Sequence, residues 1–388
     1  MTQHRSVIPG GPGPWAGINA AAIAHNLAWV KRFVQDDCVA DAPAPRLWAV
    51  IKADAYGHGV AHVIASLEAA DGLCVSDIGG VVAARRQGWS KPIMMLSAWG
   101  LSATDLCDPQ LGELHVVVDT PQAVSVLEHA SPVLPHVHAW LRHAGYLRSH
   151  GFAGVEYTAA FKRLHACMLA GALGGVGHLH HYAMAENAKA LALEDKAFIA
   201  AAGGLPGPHC TGNSASLCGP VSIAPHGEGH WLRCGLALYG VSALPDTTGL
   251  QLGLRPAMSL RARLLDVKHI DAGETVGYGG SYRAPNDTCI GVVGIGYAHG
   301  LPRRLWEHGT VLVGRHDRRV KLAGKVSMES MTIDLGPEPL ESRGDIVTLW
   351  GHSPAGAYLP VEEVAASCGT IAAELLTSLT RCVPLVQE

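Results

Sequence analysis

Apolar and polar residues follow two different patterns along the chain. Up to about residue 245, short apolar runs alternate with longer segments in which apolar residues recur every three or four positions. The short runs predict buried strands, and the longer segments predict helices that pack on them. The predicted strands span 47–51, 73–75, 93–96, 114–118, 137–141, 176–179 and 236–239, and the predicted helices span 18–34, 60–70, 121–130, 157–172 and 186–202.

Regular alternation of strand and helix is typical of parallel βα units. Roughly eight such units predict a TIM-type (β/α)8 barrel, whose functional site lies at the carboxyl ends of the strands. From residue 246 the pattern changes to short β-branched runs separated by Gly, Asp and Asn, at 260–267, 289–295, 310–313, 319–323, 331–335 and 346–349. We therefore predict an α/β barrel over 1–245, including an N-terminal segment and a linker at 36–45, and a β-strand-rich C-terminal domain over 246–388.

Composition narrows the class of protein. The 388 residues are 48% hydrophobic and 16% charged, with a net charge of −4, so a large core is expected and neither a disordered chain nor a nucleic-acid-binding surface is indicated. The ten cysteines are scattered without a Cys-x-x-Cys pair, which favours reduced thiols. We find neither a signal peptide nor a membrane-spanning run, and expect a cytoplasmic protein that acts on small molecules.

The segment 48–59, Trp-Ala-Val-Ile-Lys-Ala-Asp-Ala-Tyr-Gly-His-Gly, carries the strongest chemical signal. Lys52 ends an apolar strand, where burial would lower the pKa of its amine and make it a nucleophile and base. Tyr56 and the glycines after it offer a hydroxyl and an approachable backbone for an anion. The alternative is a lysine that only closes the strand and extends to solvent.

Five further segments extend this signal. They are Gly212-Asn213-Ser214-Ala215, Arg233-Cys234-Gly235-Leu236 with Tyr239-Gly240 after it, Gly277-Tyr278-Gly279, and the pair Gly296-Tyr297-Ala298-His299-Gly300 and Gly324-Lys325-Val326-Ser327-Met328-Glu329. Together with the Lys52 segment they resemble the motifs of the alanine racemase family over nearly the whole chain. That resemblance implies pyridoxal 5'-phosphate (PLP) bound covalently to Lys52, and racemisation of a small amino acid, above all alanine.

The resemblance also assigns roles to single residues. It implies that Tyr56, Ser214, Gly235 and Leu236 bind the phosphate, that Arg233 faces the pyridine nitrogen with His181 behind it, and that Arg148 contacts the phenolic oxygen and the substrate carboxylate. Tyr297 and Met328 would line the substrate side. Tyr278 would reach the site of a partner subunit as a second base opposite Lys52, which implies a homodimer. Taken alone, a tyrosine among glycines is an ordinary turn residue.

Several positions depart from the family pattern. Leu141 stands where many relatives carry a carbamylated lysine, His143 and His299 replace aspartates, and Ala373 replaces a phosphate-binding tyrosine. These changes keep open a different amino acid substrate, another PLP reaction such as decarboxylation or aldol cleavage, or a non-catalytic PLP-binding protein. The cluster His178, His180 and His181 offers a metal site as an alternative, but it lacks cysteines or paired carboxylates, and we predict no metal.

Overall fold

The computed structural model describes residues 11, 13–36, 44–129, 134–219 and 229–388. Most of the predicted linker at 36–45, nearly all of the sequence before Trp15, and the end of the helix predicted at 121–130 lie outside these ranges. No helix within the described ranges is long and apolar enough to cross a membrane.

A closed barrel of eight parallel strands follows strand β1 (Trp15–Ile18) and helix α1 (Ala20–Asp36). Its strands are β2 (Arg46–Val50), β3 (Gly72–Val75), β4 (Ile93–Met95), β5 (Leu114–Val118), β6 (Leu134–Arg142), β7 (Leu173–Leu179), β8 (His209–Thr211) and β9 (His230–Cys234). The helices around them are α2 (Lys52–Tyr56), α3 (Val60–Val63), α4 (Ile78–Arg86), α5 (Ala103–Leu106), α6 (Pro121–His129), α7 (Gly154–Leu169), α8 (Ala188–Ala202) and α9 (Ser214–Cys218). The predicted TIM-type barrel is confirmed.

Two barrel strands differ from the prediction. The apolar run 236–239 is not a strand but a short 3-10 helix, and the strand β9 precedes it at His230–Cys234. Gly235 separates the two, with φ −119° and ψ −89°, and turns the chain out of the barrel wall. Strand β8 has only three residues, of which His209 and Thr211 are polar, so its sequence carries no apolar run.

A mostly β domain follows the barrel, as predicted. Its strands are β10 (Met258–Ile270), β11 (Thr275–Val276), β12 (Tyr282–Arg283), β13 (Thr288–Val293), β14 (Thr310–Val313), β15 (Arg318–Lys321), β16 (Met331–Gly336), β17 (Ile346–His352), β18 (Tyr358–Leu359) and β19 (Leu385–Gln387), with helices α10 (Val361–Ser367) and α11 (Ala372–Ser378). The long strand β10 pairs with β1, β13 and β17. Strand β1 therefore belongs to this second sheet although it precedes the barrel in sequence.

Three tryptophans fill the lumen of the barrel below the site. Trp48, Trp140 and Trp231 are buried there, and the rings of Trp48 and Trp231 stack with centroids 4.3 Å apart. Glycines make room for them, since a Cβ on Gly72 would lie 2.1 Å from the Trp48 ring and one on Gly177 would lie 2.7 Å from the Trp140 ring. The packed lumen closes the barrel beneath the carboxyl ends of the strands.

Candidate active site

A cavity of about 540 Å³ opens at the carboxyl ends of the barrel strands. Its walls come from the residues that end or follow these strands, including Lys52 after β2, Arg142 at the end of β6 and His181 after β7. Seven of the predicted site residues line it, namely Lys52, Tyr56, His181, Ser214, Arg233, Gly235 and Leu236. Arg148, Tyr278, Tyr297 and Met328 do not.

Lys52 begins a left-handed turn instead of an ordinary helix. The three residues after it and Tyr56 all have positive φ, between 51° and 56°, and Gly57 continues the turn at 77°. Left-handed backbone costs about 1–2 kcal/mol per residue for residues with a Cβ. Local hydrogen bonds offset part of this cost, among them the one from Val60 N to Asp54 Oδ1 at 2.8 Å. Strain of this kind is concentrated at functional sites, and here it fixes the backbone that carries the lysine.

The electrostatic surroundings of Lys52 favour a neutral amine. The cavity walls remove water from the ammonium, and this desolvation is the main reason that its pKa lies below 10.5. The nearby cations Arg233 and Arg142 lower the pKa further, while Cys74 opposes the shift. A larger neutral fraction at physiological pH makes the amine a better nucleophile and proton acceptor, as predicted from its place at the end of a strand.

Arg233 is buried and held from several directions. Its Nη2 donates to the carbonyl oxygen of His180 at 2.7 Å and to Nδ1 of His181 at 3.3 Å, and its Nη1 donates to the carbonyl oxygen of Cys210 at 3.1 Å. Burial and the adjacent guanidinium lower the pKa of His181 to about 3, so this imidazole is neutral and accepts at Nδ1. The guanidinium is thereby fixed in one orientation at the cavity wall.

The hydroxyls of Tyr56 and Ser214 meet the backbone after β9. A Cβ on Gly235 would lie 2.6 Å from Oη of Tyr56, so glycine lets this hydroxyl approach the main chain. Oγ of Ser214 accepts from the N–H groups of Gly235 and Ala237 at 3.3 and 3.2 Å. Ala373, at the position of the family's phosphate tyrosine, also lines the cavity there. Hydroxyls and main-chain N–H groups gathered in this way suit a phosphate.

Strand β6 presents Arg142, not Leu141, to the cavity. Side chains alternate along a strand, and Leu141 is fully buried in the layer between barrel and helices, whereas Arg142 lines the cavity. Leu141 therefore contributes no side chain to the cavity, and the strand's contribution there comes from Arg142. Sequence reasoning missed Arg142, although the alternation from Trp140, which faces the lumen, would have identified it.

Arg148 lies on an exposed loop after β6. Its φ is +58° and its side chain is exposed. The start of this loop is anchored to α8, because Tyr146 N donates to Oε1 of the buried Glu194 at 3.1 Å. Close packing reinforces the anchor, since a Cβ on Gly145 would lie 2.6 Å from the ring of His180. Arg148 is close enough to His143 to lower the pKa of that ring, which falls to about 4 chiefly through burial.

Tyr278, Tyr297 and Met328 form one exposed surface of the β domain, and the fractions of these residues exposed to solvent are 64%, 40% and 56%. The loops that carry Tyr297 and Met328 are joined by the hydrogen bond from Ala298 N to the Met328 carbonyl oxygen at 2.8 Å. The guanidinium of Arg303 lies 5.9 Å from the centre of the Tyr278 ring. His299, which replaces an aspartate of the family pattern, accepts a hydrogen bond from Gly296 N at 3.1 Å through Nδ1.

The histidines 178, 180 and 181 have separate partners instead of a common metal site. Nδ1 of His178 lies 2.8 Å from the hydroxyl of Tyr157, and His181 accepts from Arg233. His180 faces Glu194, with Nε2 and Oε1 3.4 Å apart. Within the described ranges these three side chains do not gather ligand atoms around one point.

At the other end of the barrel, Glu113, His115 and His138 place their ligand atoms within 4.8 Å of one another. The indole of Trp140 can only donate, and its Nε1 lies 2.7 Å from Nδ1 of His115. Burial lowers the pKa of His115, and because Nδ1 accepts from the indole the ring carries its proton on Nε2, 3.0 Å from Oε1 of Glu113. This tautomer makes the group a hydrogen-bonded chain, because Nε2 has no lone pair for a metal.

Comparisons with known proteins agree with this architecture. Residues 18–243 match the family of the alanine racemase N-terminal domain, and residues 257–387 match that of the alanine racemase C-terminal domain. An alanine racemase of Bordetella avium is 37% identical over 374 residues, which cover 96% of this chain and 98% of the relative. The crystal structure of the biosynthetic alanine racemase of Pseudomonas aeruginosa superposes with a TM-score of 0.85 at 32% identity, covering 97% of this chain and 100% of that one. An alanine racemase of Bartonella henselae, solved with covalently bound pyridoxal phosphate, shares the fold at 23% identity, a TM-score of 0.80 and coverage of 97% and 100%.

Proposed function

The chain belongs to the alanine racemase family, and on that premise we propose that it interconverts L- and D-alanine with PLP as its cofactor. The observation that carries the proposal is the meeting of Lys52 and Arg233 in one cavity with the hydroxyls of Tyr56 and Ser214. The chain is similar to alanine racemases over nearly its whole length, and this similarity does not favour the alternatives of decarboxylation, aldol cleavage or non-catalytic PLP binding.

The residues of the cavity fit PLP in size and in chemistry. A volume of about 540 Å³ lies within the usual range of cofactor sites. Tyr56, Ser214 and the backbone of Gly235 and Leu236 would bind the phosphate, and the amine of Lys52 would bind the carbonyl carbon. When bound, PLP supplies an aromatic ring that delocalises the negative charge developing at the substrate Cα. Arg233 would donate to the ring nitrogen, and because a guanidinium does not give up its proton it would leave that nitrogen neutral.

Racemisation needs two bases on opposite faces of the substrate Cα. Lys52 would exchange the proton on one face, for which its lowered pKa suits it. Tyr278 of the partner subunit would exchange the proton on the other face. The position of Tyr278 within the chain supports this assignment. The residue is exposed on the β domain and does not line the cavity of its own subunit.

We propose a homodimer with shared sites. The exposed surface formed by Tyr278, Tyr297 and Met328 supplies aromatic and flexible apolar side chains, which are enriched at protein interfaces. In such a dimer each cavity would be completed by the partner's β domain. We also propose a cytoplasmic location, which the buried free thiols of Cys74, Cys210 and Cys234 support.

The direct test is to incubate the purified PLP-loaded protein with L-alanine in deuterated water and to follow chirality and deuterium at Cα. We expect both enantiomers to accumulate with deuterium at Cα, and Lys52→Ala to abolish the exchange. A panel of other small amino acids, followed for chirality and for release of CO2, measures the preference for the side chain. Release of CO2 without racemisation would contradict the proposal.

A further inference from the structure

The cavity contains a cation that the family resemblance did not assign. Arg142 lines the cavity together with Lys52 and Arg233, and none of the lining residues that the structure describes is acidic. An amino acid bound to PLP carries two anionic groups, a phosphate and a carboxylate. The Tyr56–Ser214 end of the cavity accounts for the phosphate, which leaves the carboxylate without an assigned partner inside the cavity.

Arg142 stands on the side of the barrel opposite Lys52. Strand β6 is four strands away from β2 in the closed order of eight, while the phosphate end lies after β8 and β9, and β9 pairs with β2. A substrate whose amino group is at Lys52 can therefore direct its carboxylate away from the phosphate and toward β6. The guanidinium there is available to a ligand, because Arg142 is only half-buried and lines the cavity.

Asp119, directly after strand β5, provides the counter-charge for Arg142. It is 5% exposed, and its Oδ1 is also buried without a hydrogen-bond partner. Arg142 acts to lower the pKa of Asp119, although burial dominates and raises it. His150 is the other titratable side chain beside Asp119, with Nδ1 3.9 Å from Oδ2. Asp119 does not line the cavity, so its interaction with the charge of Arg142 does not occupy the space for a ligand.

We propose that Arg142, positioned by Asp119, binds the α-carboxylate of the amino acid substrate, in place of the role that the resemblance gave to Arg148. The inference rests on the proposed racemase function. Arg148 is exposed on a loop whose start is anchored to Glu194, and its side chain does not line the cavity. The planar guanidinium of Arg142 can bind a carboxylate through two parallel hydrogen bonds.

The test compares Arg142→Gln with Arg148→Gln in the PLP-loaded protein. Propionate serves as the probe, since it carries the carboxylate of alanine without the amine, and propionamide is its neutral control. We expect Arg142→Gln to weaken propionate binding in calorimetry, and to raise KM for alanine, by about tenfold to a hundredfold, the usual loss for a charge-assisted hydrogen bond. We expect the visible absorbance of bound PLP to persist, and the effect of Arg148→Gln to be at least tenfold smaller.

Two further variants keep the test independent of folding. Arg142→Lys retains the charge beside Asp119 but not the planar fork, so it should fold, retain PLP and weaken propionate binding severalfold. Asp119→Asn should raise KM with little change in kcat, and Asp119→Glu should restore KM. A wild-type protein that does not racemise alanine would overturn the proposed function itself. If the wild type racemises alanine, two results would overturn the assignment of Arg142 alone. One is that Arg142→Gln binds propionate as tightly as the wild type. The other is that Arg148→Gln loses more propionate affinity than Arg142→Gln.

Discussion

Nη2 of Arg233 lies 3.3 Å from Nδ1 of His181, and the arginine is the donor in this contact. The imidazole accepts because its pKa of about 3 keeps it neutral. Two main-chain acceptors, the carbonyl oxygens of His180 and Cys210, also accept hydrogen bonds from this guanidinium. The position of this cation in the cavity is thus set by partners directly after β7 and on β8 before any ligand binds.

Replacing His181 tests this positioning. We expect His181→Ala to lower kcat by about tenfold to a hundredfold, since a hydrogen bond from a charged donor contributes about 1.5–3 kcal/mol. His181→Asn, whose amide oxygen can accept at nearly the same place as Nδ1, should restore most of the rate. The measurement is kcat for alanine in both variants. Equal losses in the two would show that the acceptor at Nδ1 does not matter.

The lowered pKa of Lys52 predicts a pH dependence of stability in the PLP-free protein. Between the lowered pKa and 10.5, the folded chain binds fewer protons than the unfolded chain, so the free energy of unfolding rises with pH in this window. Lys52→Met should remove that rise and stabilise the PLP-free protein at neutral pH. Urea unfolding across this window measures the slope, with the exposed Lys162→Met as control. An unchanged slope in Lys52→Met would refute the shift.

His58 predicts acid sensitivity. It is fully buried, and burial lowers its pKa from 6.5 to about 4. As pH falls from 6.5 to 4 the unfolded chain gains a proton that the folded chain does not, so stability is lost at about 1.4 kcal/mol per pH unit. His58→Asn keeps an N–H donor for the carbonyl oxygens of Ala55 and Tyr56, both 3.0 Å from Nδ1, but does not titrate. Urea unfolding at several pH values should show that the free energy of unfolding depends less steeply on pH in His58→Asn than in the wild type. The difference should correspond to the uptake of about one proton.

The lumen packing predicts a large penalty at Gly72. A Cβ there would lie 2.1 Å from the ring of Trp48, so Gly72→Ala should lower the free energy of unfolding by about 1–3 kcal/mol or more. Gly229→Ala is the matched control, because the nearest atom to its Cβ would be Pro208 Cβ at 3.7 Å. Thermal or urea unfolding of both variants gives the comparison. Similar stabilities would mean that Trp48 moves aside without cost.

The sequence predicted the fold well because its signals are local and periodic. Strand β5 was predicted at its observed bounds of Leu114–Val118, since it is a continuous apolar run. Strand β8 was missed because its three residues are too few to show an apolar or alternating pattern. Its strand conformation is defined by pairing with β7 and β9. The left-handed turn after Lys52 is likewise absent from the local pattern, because Ala53 and Ala55 do not favour positive φ and the turn packs tightly on the β domain at Gly57 and Leu376.

At the site, the motif segments correctly predicted which of their residues line the cavity, such as Lys52 and Arg233. The motifs did not predict which side chains of strand β6 face the cavity. The side chains of Leu141 and Arg142 point to opposite faces of β6, so an error of one residue exchanges an aliphatic wall for a cation. The roles of Tyr278, Tyr297 and Met328 depend on a second subunit. A single chain shows only that these side chains are exposed together.

Complementation between two inactive variants tests the shared site most directly. Lys52→Ala and Tyr278→Phe each remove one proposed base, and neither homodimer should racemise alanine. In a mixed dimer one cavity would combine Lys52 of one subunit with Tyr278 of the other, so random reassembly of equal amounts should restore about a quarter of wild-type activity. Measured recovery near that value supports the two-base site across subunits. A Tyr278→Phe homodimer that racemises alanine at the wild-type rate would contradict it, and so would mixed dimers that recover no activity.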